Sequence, residues 1–226
     1  MNLKIKQNWW KYLSVSLVFG LIFVGMLIPV PRLPILHETA RNTFFHVPMW
    51  FTMTILLLIS LIYSIRYLRT FDLKYDTMAS ASANVALWFG VLGLLTGMVW
   101  ARFTWGEYWS NDPRQMTAAI FMLIYVAYFV LRSSMDDEEK CAKVAGVYNI
   151  FAFFAYLPLA FVIPRMMESL HPGGEGNPVF GRGDMDATMR TVFYFGAIGW
   201  ILLGVWMATL VSRYENLKRK VLEINA

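Results

Sequence analysis

The chain has 226 residues, 58% of them hydrophobic and 16% aromatic, with a mean hydropathy of +0.48; that is more apolar surface than its polar side chains can cover in water. A water-soluble globular domain is thereby excluded and a membrane protein implied. The net charge of +5 follows from how basic residues are distributed across a membrane, and no segment resembles a nucleic-acid-binding module.

Six stretches reach the roughly 20 apolar residues needed to cross a bilayer: about 12–30, 47–65, 79–101, 116–131, 144–163 and 191–212. None contains Asp, Glu, Lys or Arg, so the ionisable groups that coupled carriers keep at mid-membrane are missing and any chemistry belongs at an end of the bundle. The first stretch follows Lys4 and Lys6 but is longer than a signal-peptide core and lacks a small-x-small cleavage site after Val30, which reads as a retained anchor. At the second, Pro48 is expected in the first helical turn, placing His46 beside the positive end of the helix dipole, where a neutral, metal-ligating ring is favoured. Before the fourth, D-P-R-Q reads as a helix start, with Asp112 as cap, Pro113 at the first helical position and Gln115 three residues after the cap. The fifth ends at Pro164. Cys141 and the acidic run Asp136-Asp137-Glu138-Glu139 are expected in a solvated fourth loop. No C-x-x-C or C-x-x-C-H occurs, so neither thiol redox chemistry nor covalent c-type haem is expected.

Basic residues give the orientation. The N-terminus (Lys4, Lys6, Lys11), second loop (Arg66, Arg69, Lys74), fourth loop (Arg132, Lys140, Lys143) and tail (Arg213, Lys218, Arg219, Lys220) hold 13 of the 20 and are assigned to the cytoplasm. The fold class expected is all-α: one polytopic six-helix bundle over residues 1–226, both termini cytoplasmic. The opposite face then carries all three histidines, His37, His46 and His171, together with W-G-E-Y-W-S-N-D-P-R, residues 105–114. A short helix over 105–110 puts Trp105, Tyr108 and Trp109 on one face, offering flat rings to a planar ligand, with Gly106 allowing close backbone approach. Trp9, Trp10, Trp50 and Trp200 read as interface-belt residues. Asp112 is expected to cap the fourth span, touch a ligand, or both. Arg41, Arg102 and Arg114 run against the orientation rule and suit bidentate pairing with a ligand carboxylate.

This layout resembles the haem-handling proteins of cytochrome c maturation, the tryptophan-rich-motif family of CcmC and CcsA, with the CcmC branch nearest. The likeness covers nearly the whole chain. It rests on Arg41, His46 and Pro48 around the first histidine, on His171 as the second, and on Trp105, Gly106, Trp109, Asp112 and Arg114 in the tryptophan motif. Asn111 and Pro113 depart from the family's usual Trp and Ala, and His37 has no counterpart, which reads as an exposed loop residue. The resemblance implies a haem-presenting protein of the cell inner membrane rather than an enzyme. It implies non-covalent haem b at the periplasmic face, His46 and His171 as axial ligands, Trp105 and Trp109 against the macrocycle, and Arg41 or Arg114 near the propionates. It implies delivery to the haem chaperone CcmE and assembly with the ABC-transporter subunits CcmA and CcmB and the small subunit CcmD. The Gly- and Pro-rich segment 171–178 is a source of mobility for transfer.

Three other readings stand beside it. A CcsA-type cytochrome c synthase shares the motif but is larger. An electron-transfer cytochrome b places histidine pairs within its helices. A transporter is disfavoured by uncharged spans.

Overall fold

The computed structural model describes residues 2–30, 37–171 and 185–225; the glycine-rich segment singled out above lies outside them after His171. Among the described residues the chain is helical and has no strand: α1 (Asn2–Leu27), a 3₁₀ turn (His37–Asn42), α2 (Thr43–Thr70), α3 (Leu73–Trp105), α4 (Pro113–Ser133), α5 (Glu138–Leu157), and α6 (Ala187–Asn225). Past α5 a π turn (Pro158–Val162) and a 3₁₀ turn (Ile163–Arg165) continue the rod, because Pro158 and Pro164 lack the N–H that would extend regular helix. Each of the six expected spans maps onto one helix long and apolar enough to cross a membrane.

The helices run past the apolar runs that announced them. At 1.5 Å per residue, α6 with its 39 residues is about 58 Å long against a hydrocarbon core of about 30 Å, so the basic tail is helical. The second loop shrinks to a tight turn at Phe71, whose φ of 55° returns its N–H to the Tyr67 carbonyl. The acidic run is solvated as expected but only half of it is loop: all four residues are exposed, Asp136 and Asp137 precede the helix, Asp137 accepts from the Lys140 N–H as its cap, and Glu138 and Glu139 form the first turn of α5, where negative charge meets the positive dipole end. Cys141 is consequently helical and buried. Pro48 is likewise not at a first helical position. The 3₁₀ turn feeds directly into α2 at Thr43, leaving Pro48 as an interior, fully buried residue of that helix and forfeiting the bond to the Phe44 carbonyl.

Helix α2 is central, packing along α3 and against α5 and α6, while α1 lies on α6 and α4 on α5. Met53, Leu56, Leu57, Phe89, Phe121 and Tyr125 fill one core, and Leu21, Phe44, Met189 and Phe193 a second. Lipid supplies no hydrophobic drive between helices, so close backbone approach matters. On α3 a Cβ at Gly93 would fall 2.8 Å from the Trp50 ring, and one at Gly97 would fall 2.7 Å from the His46 ring. Where α3 begins, Asp76 and Arg132 form a buried bidentate pair, both contacts 2.7 Å, and Arg219 of α6 binds Thr77 and Glu138. The ion pairs thus lock one end of α3, and the histidines gather at the other.

Candidate functional site

The tryptophan segment is organised by the end of α3. Gly106 takes φ +89°, a left-handed conformation that stops the helix at Trp105 and that a side chain would strain. The expected helix over 105–110 therefore does not form, and Trp105 and Trp109 do not share a helical face. Trp109 lies in the loop, its indole N–H donating to Asn111 Oδ1 at 3.1 Å. Asn111 itself has φ 55°, a conformation Asn tolerates better than Trp, which gives a physical reason for asparagine here.

Asp112 then does two things at once. Its Oδ1 accepts the Arg114 N–H at 2.9 Å, capping α4 behind Pro113, and lies 3.1 Å from His171 Nδ1. Its Oδ2 accepts the Leu170 N–H at 2.7 Å and the Ser169 hydroxyl at 2.8 Å. Gln115 does not return to the cap as a capping box requires; it accepts from Ser110 and donates to the Tyr108 carbonyl. The Asp112 side chain has no exposed surface. Burial opposes its ionisation, but the bond and charge of His171 and the N–H groups of Arg114 and Leu170 outweigh it and hold the carboxyl well below the usual carboxylate range. A carboxylate only accepts, so the tautomer of neutral His171 follows from its partner: hydrogen on Nδ1, lone pair on Nε2.

His46 reaches the same arrangement by a different route. As the fourth residue of α2 it lies over Gly97, its Nδ1 2.9 Å from the Gly93 carbonyl and 3.2 Å from Thr96 Oγ1. The Thr96 hydroxyl already donates to the Leu92 and Gly93 carbonyls. Both neighbours of Nδ1 therefore accept, which fixes its hydrogen there and the lone pair on Nε2.

Helix α3 brings the two rings together. Gly93, Gly97 and Trp100 stand at i, i+4 and i+7, one face of a helix. His46 packs on the first two, while His171 lies 5.9 Å between ring centres from Trp100 and 4.9 Å from Trp105. Positions 97 and 100 are separated by roughly 4.5 Å of helical rise, so the two imidazoles pack against successive turns of α3. Trp100 and Trp105 meet edge to face at 5.1 Å.

Other expected site residues sit elsewhere. Arg41 donates to Glu38 and, through Nη1, to the Gly25 and Ile28 carbonyls, each at 2.7 Å, closing the end of α1. Arg114 has a buried Nε without a partner among the described residues. His37 is exposed, as expected. Trp50 and Trp200 are not belt residues: Trp50 faces Phe121 and His46 and Trp200 faces Phe89. Sequence reasoning missed Trp50, Trp100, Thr96 and Ser169. Signals existed for some of them, in the i, i+4 spacing of His46 and Trp50 and in G-L-L-T-G over 93–97, a small-residue stripe that admits a bulky partner.

The family model described as Heme exporter protein C, CcmC, matches residues 2–225. The chain is 29% identical over 187 residues to the Heme exporter protein C of Bradyrhizobium diazoefficiens, spanning 81% of this chain and 69% of that one. It is 27% identical over 190 residues to that of Paracoccus denitrificans, spanning 81% and 76%. It is also 35% identical over 104 residues to the cytochrome c biogenesis protein CcsA of Pelargonium hortorum, a likeness confined to 45% of this chain and 33% of that protein.

Proposed function

The chain belongs to the Heme exporter protein C (CcmC) family, and from that premise we propose that it handles haem for cytochrome c maturation, holding it at one end of its bundle and passing it on without acting as an enzyme. The observation that carries this reading is the pair of imidazoles along one face of α3, each with Nδ1 fixed by an acceptor so that Nε2 is the nitrogen offered to iron. Ligating histidines characteristically donate their other ring N–H to a carboxylate or carbonyl, which sets the ring and raises its basicity. Among the described residues no cluster of three or more His, Cys, Asp or Glu is placed to hold a bare metal ion. A porphyrin, which supplies four nitrogens itself, needs only the two.

In this reading His46 and His171 are axial ligands of haem b, bound without covalent attachment. Trp105 and Trp100 flank the His171 side, and Trp109, Gly106 and Pro48 shape the surroundings. Arg114, with a buried Nε unpartnered among the described residues, suits a propionate better than Arg41, whose Nε and Nη1 already serve Glu38 and the end of α1. Two histidine ligands leave no open iron position, which suits carriage rather than oxygen chemistry. The protein lies in the cell inner membrane with this end in the periplasm. It delivers haem to the chaperone CcmE and works with CcmA, CcmB and CcmD. The test is capture of the tagged protein from native membranes, followed by a pyridine haemochrome assay and blotting for the chaperone. Wild type should bring down both, and His46→Ala and His171→Ala should lose haem. Both variants retaining wild-type haem while still supporting cytochrome c maturation would falsify the ligand assignment.

A further inference from the structure

The two histidines differ at Nε2. Trp50, one turn beyond His46 on α2, donates its indole N–H to His46 Nε2 at 3.3 Å, so the ring nitrogen with the lone pair already has an occupant. Among the described residues no donor reaches Nε2 of His171. The Trp50 ring is seated for this contact. It lies over Gly93, where a Cβ would come within 2.8 Å of it, and stands perpendicular to Phe121 at 5.6 Å.

We propose that Trp50 is a positioning residue that caps His46 Nε2 in the haem-free protein, making His46 the exchangeable axial ligand and His171 the anchored one. Among the described residues Nε2 of His171 has no partner, and the Asp112 carboxylate behind the ring strengthens it as a donor. Nε2 of His46 becomes available only when the N–H···N bond to Trp50 opens, and behind that ring stands a neutral carbonyl. Haem binds His171 first and His46 second. On release the order reverses: the iron–nitrogen bond at His46 breaks as the indole N–H···N bond re-forms, so no bare lone pair is left inside the bundle and no electron changes hands. The cap itself stands whatever the cargo; its consequence for haem rests on the ligand role proposed above.

The experiment uses full-length protein in detergent. In haem-free protein, diethylpyrocarbonate acylates neutral imidazole nitrogen, and mass spectrometry reads His46 and His171 separately. Trp50→Phe keeps an aromatic ring over Gly93 and removes the donor. Losing one neutral hydrogen bond worth about 1 kcal/mol predicts roughly fivefold faster acylation at His46 and an unchanged rate at His171. Haem titration of the same variant should show roughly fivefold tighter binding with a low-spin spectrum. Gly93→Ala, which pushes the indole aside with its N–H intact, should act in the same direction. Wild-type acylation of His46 in both variants overturns the cap, and haem affinity unchanged or weakened in both overturns its role in exchange. Wild-type haem binding by His46→Ala overturns the ligand reading instead, while the acylation rates still decide the cap.

Discussion

Replacing Asp112 by Asn tests the junction on which the site is built. Four donors converge on the carboxylate: the N–H groups of Arg114 and Leu170, the Ser169 hydroxyl and His171 Nδ1. An amide has one oxygen. If it serves Arg114 and His171, the NH₂ group faces Ser169, which can turn to accept, and Leu170, whose N–H is orphaned. One orphaned donor costs about 1–3 kcal/mol and the loss of charge assistance on two further bonds about 0.5–1 kcal/mol each, giving about 2–5 kcal/mol in all. The opposite orientation leaves α4 uncapped and turns NH₂ toward His171, which then accepts at Nδ1 and carries its hydrogen on Nε2, the tautomer unable to bind iron. Either way Asp112→Asn should unfold at lower temperature and bind haem more weakly. Thermal unfolding followed by circular dichroism, with haem titration of the same sample, measures both. Wild-type values in both would show that the carboxylate neither holds the loop nor orients His171.

Acid should act through the same residue. Its folded carboxyl titrates below the unfolded one, so its stabilisation is complete above the unfolded value of about 3.9 and is lost as pH falls below that through the folded value. Wild type should therefore lose stability on acidification from about pH 5 more steeply than Asp112→Asn, and parallel acid-unfolding curves would contradict this. At the far end of α3, Asp76→Asn or Arg132→Met alone should each cost about 3–5 kcal/mol by leaving a buried group unpaired, and the double variant less than the sum; denaturant unfolding reads the cycle, and haem binding should persist. Gly106→Ala meets nothing within 4 Å, so its cost is backbone alone, about 1 kcal/mol, visible as a lower unfolding temperature.

How far the sequence alone carried the structure depended on whether a feature was local. The spans were legible because each is an uninterrupted apolar run, and the cap at Asp112 because D-P-R-Q states it within a few residues. Helix ends were not, since polar turns extend α5 before its apolar run and α6 after its own. Pro48 was misplaced because a 3₁₀ turn, tied to α1 through Arg41, carries α2 one and a half turns further back than a proline normally permits. The pairing of Trp105 with Trp109 failed at Gly106, whose positive φ is a backbone choice composition does not reveal. Trp100 was hidden inside a span, and only the meeting of α3 with the segment after α5 brings it to His171. His46 and His171 were singled out as residue types at one face. What holds them, Gly93 and Thr96 for one and Asp112 for the other, is tertiary.

The most direct measurement is low-temperature electron paramagnetic resonance of oxidised protein reconstituted with excess haem, comparing wild type with His46→Gly and His171→Gly, each with and without added imidazole. Shared ligation predicts a low-spin ferric signal in wild type, its loss in either variant, and its return when imidazole refills the vacated position. A low-spin signal persisting in both variants without imidazole would contradict it.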